Sequence, residues 1–381
     1  MKTLCSTQKR RKSRLPAFVD RRTVLLAAAA LAAAGCGPQA AVRAGPADRM
    51  RRRAAERRGV TLPDLPDDLP TDPIDHPFAR RGPRRVDIAE GVWTDTSRGG
   101  RQVPWIAYLP QAEGRVPAAI FSHGGGGTRE TARPFGEHLA SHGVASVHVQ
   151  HFGSDRQAFI QDAQQIARAV NDPALAAPRF EDIAFAADQL RSGEGAPGAR
   201  IDPVHLGIYG HSFGAITTLV AVGQSVSGHG RSFAVPGLKA AAALSPSPPR
   251  PGFVAEPGRA FSDMTAPILH LTGTEDHAPN GDFDAPARRI PFDAIDDVDQ
   301  TLIVLRGANH FSFTGAAAPS LRGMNFGYPG LARHHDVIKA SLVAFFRHRL
   351  SGDTDAGAFL SGRGLARFLA PGSTLEHKEA S

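Results

Sequence analysis

The side chain of Ser212 lies in a sequence context in which a serine could act as a nucleophile. It is the central residue of Gly210–Gly214 (GHSFG), the one Gly-x-Ser-x-Gly sequence in the chain. A strand-like run, Val204–Tyr209, precedes this motif and a helix-like run, Phe213–Gly223, follows it, which is the setting that exposes a serine on a sharp turn. A serine hydroxyl barely ionises at neutral pH, so attack on a carbonyl requires a neighbouring base. The alternative interpretation is a serine that only caps the helix.

His310 is the predicted base, and Asp276 is the predicted acid that orients it. Each residue lies just after a predicted strand, and the order Ser, Asp, His along the chain is typical of a triad built on one sheet. Glu275 is the rival acid. His334 and His335, the rival bases, lie within a helical pattern and are expected at the surface.

A glycine-rich turn, Phe121–Thr128 (FSHGGGGT), follows the predicted strand Ala118–Ser122. Glycines let the backbone come close to a substrate oxygen and present N–H groups to it. We predict that the backbone N–H groups of Gly125 and Phe213 form an oxyanion hole. A phosphate-binding loop is the competing interpretation, but the Gly-Lys-Ser/Thr ending of such loops is missing here.

Other histidines close to these motifs do not call for a cofactor. His148 and His151 lie at a strand end without a Cys or carboxylate companion at a metal-site spacing, so we expect them to pack or to line the cleft. His211 is assigned a packing role. Neither a cofactor nor a metal is predicted.

Short apolar runs alternate with helical patterns from Val86 to Leu350, which predicts an α/β fold with one doubly wound, mostly parallel sheet flanked by helices. Eight strands are predicted: Val86–Trp93, Val103–Leu109, Ala118–Ser122, Ala145–Gln150, Val204–Tyr209, Lys239–Leu244, Ile268–Thr272 and Leu302–Leu305. The predicted helices include Arg129–His142, Glu181–Ser192, Phe213–Gly223 and Leu331–Leu350. Residues 86–350 are therefore taken as the catalytic domain, and the tail 351–381 carries no readable pattern.

The net charge of +7 is concentrated at the N-terminus. Eight of the 44 lysines and arginines, but only one of the 37 acidic residues, lie in residues 1–35, so the rest is nearly neutral and no nucleic-acid partner is expected. An apolar run of eleven residues, Val24–Ala34, follows the basic stretch and is too short to span a bilayer. Residues 1–36 therefore resemble an export signal of the twin-arginine type, around Arg21 and Arg22.

The sequence Ala33–Cys36 (AAGC) resembles a lipobox, in which a lipid on Cys36 would attach the protein to a membrane. The alternatives are a periplasmic or cell-envelope lipoprotein and a secreted soluble protein. Residues 37–85 are rich in Pro and Arg and are expected to form an extended tether. Only Cys5 and Cys36 are cysteines, so the predicted domain has no disulfide.

Four segments together resemble predicted bacterial proteins of the dienelactone-hydrolase-like and platelet-activating-factor-acetylhydrolase-like groups: Phe121–Gly124, Gly210–Gly214, Leu271–Asp276 and Gly307–His310. The resemblance covers roughly residues 90–350. It implies an α/β-hydrolase fold and an enzyme that hydrolyses esters with a modest acyl group. Dienelactone hydrolase has a Cys nucleophile where this chain has Ser212. The acetylhydrolases have their acid after the sixth strand, where this chain reads Leu244–Ser247 (LSPS).

The sequence thus predicts a serine carboxylic ester hydrolase that acts on a small-molecule or lipid-like ester. The alternatives are a peptidase or another acyl hydrolase or transferase with the same triad, and a catalytically silent envelope-binding protein. The substrate pocket and the oligomeric state have no readable signal. Arg288 and Arg289 either bind an acidic substrate or pair with Asp293 and Asp296.

Overall fold

The computed structural model describes residues 66, 68–254, 256–279, 281–316, 320–321, 324–325, 328 and 330–381. The export signal predicted for residues 1–36, and most of the predicted tether, lie outside this part of the chain. Within the described residues no helix is both long enough and apolar enough to cross a membrane.

One nine-stranded sheet forms the centre of the fold, in the order β1-β2-β4-β3-β5-β6-β7-β8-β11. Strands β4, β3, β5, β6, β7 and β8 run parallel, whereas β1, β2 and β11 pair antiparallel with their neighbours. The sheet strands are β1 Val86–Asp95, β2 Arg101–Pro110, β3 Val116–Ser122, β4 Ala145–Val149, β5 Ile201–His211, β6 Ala241–Leu244, β7 Ile268–Glu275, β8 Gln300–Asn309 and β11 Thr374–Lys378. Two short strands, β9 Ser320–Leu321 and β10 Met324–Asn325, pair separately.

Helices cover both faces of the sheet. They are α1 Arg133–Ser141, α2 Arg156–Gln161, α3 Ala163–Ala169, α4 Pro173–Ser192, α5 Gly195–Gly198, α6 Phe213–Ala221, α7 Ile290–Ala294, α8 Leu331–Ser351, α9 Thr354–Ser361 and α10 Arg363–Ala366, with 3-10 turns at Thr96–Arg98, Pro257–Arg259, Ala285–Arg289 and His310–Thr314. One core layer includes Phe180 and Leu219 from α4 and α6, and the other includes Leu139 and Phe346 from α1 and α8. The predicted α/β class, with one mostly parallel sheet between helices, is confirmed.

The predicted elements occur, but several have different ends. Helix α4 begins eight residues before the predicted Glu181, because the side chain of Asp172 caps it and Pro173 occupies its first turn, a combination typical of helix starts. The prediction of eight strands missed the ninth strand of the main sheet and the short pair β9 and β10. The tail after Ser351, which had no readable pattern, supplies α9, α10 and the ninth strand, β11, paired with β8.

Residues before Val86 also pack on the domain. Leu69, Ile74 and Ala79 are buried, and Ile74 and Ala79 belong to the same core layer as α8. The described end of the predicted tether is therefore packed chain and not an extended spacer.

Leu365 in the tail is fully buried in the core layer of α8. We expect Leu365→Ala to lower the free energy of unfolding by about 2–4 kcal/mol, because the change leaves a cavity in a packed core. Leu175→Ala, at a position that is 45% exposed on α4, is the matched control and should change it by less than about 1 kcal/mol. Urea unfolding measures both, and equal effects would contradict the packing of the tail.

Candidate active site

Ser212 occupies a strained turn between β5 and α6. Its φ is 58° and its ψ is −115°, a conformation that costs an L-residue free energy and is held by its surroundings. Both neighbouring glycines are required by close backbone contact: a Cβ on Gly214 would overlap the carbonyl oxygen of Ser122, and one on Gly210 would overlap the carbonyl oxygen of Gly214. The motif therefore packs its helix directly against the end of β3 and raises Ser212 above the sheet.

The structure brings the three predicted residues together at the carboxyl edge of the sheet. Nε2 of His310 lies 2.9 Å from Oγ of Ser212, and Nδ1 of His310 lies 2.9 Å from Oδ1 of Asp276. Asp276 follows β7 and His310 follows β8, so parallel strands deliver both side chains to the same edge as the end of β5. The rival acid Glu275 lies 3.8 Å from His277.

Asp276 is fully buried and held by several polar groups. Its Oδ2 accepts hydrogen bonds from the hydroxyl groups of Ser245 and Thr272, and Oδ1 lies 3.1 Å from Nη2 of Arg288. Burial by itself would raise the pKa of Asp276, but the charge of Arg288 and the hydrogen bonds from His310 and Ser245 lower it overall. The carboxylate is thus ionised at neutral pH and accepts the Nδ1–H of His310.

His310 is held as a neutral imidazole. Burial lowers its pKa, the hydrogen bond to Asp276 raises it, and the charge of Arg288 lowers it, with a net decrease. With the proton on Nδ1, facing Asp276, Nε2 is free to accept the proton of Ser212. His211 donates from Nε2 to the backbone oxygen of His310 at 2.9 Å, so this residue fixes the loop of the base in addition to packing.

The glycine-rich turn lies beside Ser212. A Cβ on Gly124 would be 3.3 Å from the Cβ of Ser212, and one on Gly125 would be 4.0 Å from Cδ1 of Phe213 and 2.6 Å from Cγ2 of Ile166. Phe213 is the first residue of α6, where N–H groups have no partner within the helix. Among the described residues, neither the N–H of Gly125 nor that of Phe213 has a protein acceptor, so both can receive an anionic oxygen.

Two groups around Asp276 were missed from the sequence. Arg289 pairs with Asp293, at 2.8 Å, and with Glu376. Arg288 is only 1% exposed and contacts Asp276, so of the two interpretations left open, pairing with Asp293 or Asp296 is wrong for this residue. Ser245 lies 2.9 Å from Nδ1 of His310. Its position directly after β6 could have marked it, since the carboxyl ends of parallel strands meet at this edge.

The remaining histidines have structural partners. His148 is buried, and its ring contacts the hydroxyl groups of Ser146 and Tyr209 at 3.0 Å. His334 lies in α8 as predicted, but it is buried and bonded to Tyr328, so its expected surface position is wrong: α8 packs that face against the domain. The described residues contain no group of three or more Cys, His, Asp or Glu side chains arranged to hold a metal.

No family model matches the chain, and no curated protein matches its sequence.

Arg288 provides a direct test of the electrostatics of the site. In Arg288→Met we expect the pKa of His310 to rise, because the change removes a nearby positive charge that disfavours the imidazolium. NMR titration of the imidazole signals measures this pKa. Arg289→Met, at the adjacent surface pair, is the control and should leave it unchanged. An equal or lower pKa in Arg288→Met would contradict the assigned role of the charge.

Proposed function

We propose that this chain is a serine carboxylic ester hydrolase with an α/β-hydrolase fold. The observation that carries the proposal is the unbroken hydrogen-bonded series from Ser212 through His310 to Asp276, with 2.9 Å at each step. The strained backbone of Ser212 and the two unpaired N–H groups beside it support the same conclusion, because acyl transfer needs an exposed nucleophile and donors for the oxyanion.

In the proposed reaction, Oγ of Ser212 attacks the ester carbonyl carbon while its proton passes to Nε2 of His310. The N–H groups of Gly125 and Phe213 stabilise the oxyanion, and Asp276 stabilises the imidazolium. The C–O bond to the alcohol then breaks, and the alcohol leaves with the proton from His310. Water attacks the acyl-enzyme, His310 takes a proton from it and returns one to Ser212, and the carboxylic acid is released.

The hydrolase fold is part of the proposal. It is supported by the position of Ser212 on a strand-to-helix turn and by the order Ser, Asp, His along the chain. The dienelactone-hydrolase-like resemblance points the same way, with Ser212 in place of that enzyme's Cys. The end of β6, where the acetylhydrolases have their acid, carries Ser245, which contacts both Asp276 and His310.

Ser212 is the residue that tests this function. We expect a fluorophosphonate to add its mass to Ser212 and p-nitrophenyl acetate to be hydrolysed, with Ser212→Ala at least about a thousandfold slower. Ser262→Ala, at an exposed serine, is the matched control and should retain full activity. Robust turnover by a chain unlabelled at Ser212 would refute the assignment. An unlabelled, inactive chain would favour a silent binding protein, and faster cleavage of amides than of matched esters would favour a peptidase.

We further propose, from residues 1–36 alone, that the chain is exported and anchored by a lipid on Cys36. When it is expressed in a bacterium, mass spectrometry should find a mature N-terminus at Cys36 carrying a diacylglyceryl group, in the membrane fraction. Cys36→Ala should move the protein to the soluble fraction, whereas Cys5→Ala, the control, should not. A mature chain that is cleaved elsewhere and carries no lipid would instead indicate a secreted soluble protein.

A further inference from the structure

Arg179, on α4, is a buried cation that contacts the segment just before the glycines of the predicted oxyanion hole. It is 3% exposed, and all of its hydrogen-bond acceptors are neutral oxygens. Nη2 donates to Oγ of Ser122 at 2.9 Å and to the carbonyl oxygen of His123. Nη1 donates to Oγ of Ser154 at 2.9 Å, and Nε donates to Oγ1 of Thr217 at 2.8 Å.

Among the described residues, no carboxylate contacts Arg179 directly. In the described part of the chain Arg179 has no ion pair. Asp182, one helical turn later on α4, pairs instead with Arg101 at 2.6 Å and with His151 at 3.2 Å. Burial lowers the pKa of Arg179 to about 9, although the charge of Asp182 acts in the opposite direction, and the guanidinium remains charged at neutral pH. A buried cation that no carboxylate contacts directly is costly in free energy, and such a residue is expected where it has a specific use.

The contacts of Arg179 join the two segments that carry the oxyanion donors. The carbonyl of His123 directly precedes the glycines that include Gly125. On the other side, Thr217, which accepts the hydrogen bond from Nε, donates its own hydroxyl to the backbone oxygen of Phe213 at 3.0 Å. The guanidinium carbon also lies 4.4 Å from the ring centroid of Phe213. One planar group thus links the glycine-rich turn to the first turn of α6.

We propose that Arg179 is a positioning residue for the oxyanion hole: it fixes the spacing between the N–H groups of Gly125 and Phe213 and adds positive potential where negative charge develops. This inference rests on the proposed function. A charge that is fixed in a buried, low-dielectric environment stabilises the transition state without any reorientation of the surrounding groups during the reaction. The reacting atoms are not touched by Arg179 itself, so its effect should appear in transition-state stabilisation and not in substrate binding.

The test compares Arg179→Met, which removes the charge and the donors, with Arg179→Lys, which restores the charge but not the planar fork. Arg191→Met, on the same helix and bonded to the backbone of Pro236, is the matched control. With p-nitrophenyl acetate, we expect kcat per titrated active site to fall roughly 10- to 100-fold in Arg179→Met while KM changes by less than about threefold. Affinity for phenylboronic acid, a tetrahedral adduct former, should fall in parallel. Arg179→Lys should recover part of both losses, and Arg191→Met should match the wild type.

A merely structural role would lower the melting temperature or the number of titratable sites without changing kcat per site, and that result would overturn the inference. A loss carried entirely by KM would also overturn it. Should Arg179→Met fail to fold, Thr217→Val keeps the cation and removes its hydrogen-bonded link through Thr217 to the backbone of Phe213, and an unchanged kcat in that variant would overturn the inference equally. A wild-type chain without esterase activity or phosphonate labelling would instead refute the proposed function.

Discussion

The buried carboxylate of Asp276 is the group on which the geometry of the site depends. It has no exposed surface, and His310, Ser245, Thr272 and Arg288 provide its polar contacts. A desolvated charge is tolerated only while its partners remain in place, and removal of one partner from such a pair typically costs about 3–5 kcal/mol. The carboxylate therefore fixes the loops that carry these groups, and through His310 it fixes the base against Ser212.

Two buried arginines contact the segments that form this site. Arg288 lies beside the acid and disfavours a charged imidazole, whereas Arg179 donates to the backbone of the glycine-rich turn, where we propose that it favours negative charge. Both contact backbone oxygens as well as side chains: Arg288 donates to the carbonyl oxygens of Ser245 and Asp276, and Arg179 donates to that of His123. Each guanidinium thus holds a loop in place, and the hydrogen bonds that do so also satisfy its buried donors.

Local sequence patterns were sufficient to predict the α/β architecture and to predict that Ser212, Asp276 and His310 lie together. Buried parallel strands read as short apolar runs, and the residues directly after them meet at one edge. The other contributors depend on tertiary contacts. Strand β11 is short and polar, and it forms because β8 has a free edge with which it can pair. Arg288 contacts Asp276 from a 3-10 turn, and no periodic sequence pattern predicts the position of that turn. Arg179 follows Pro178 inside α4, and no local sequence pattern distinguishes it from a surface arginine.

If Ser212 is the nucleophile proposed above, the separation along the chain of the residues that meet there determines when it becomes reactive. Ser212 and His310 are 98 residues apart, and β6, β7 and β8 must all take their places after β5 before the imidazole can reach the hydroxyl. Such long-range pairings form late and slowly during folding. On the proposed function, a partly folded chain carries an ordinary, unreactive alcohol at this position, and nucleophilicity appears only when the strands up to β8 are in place.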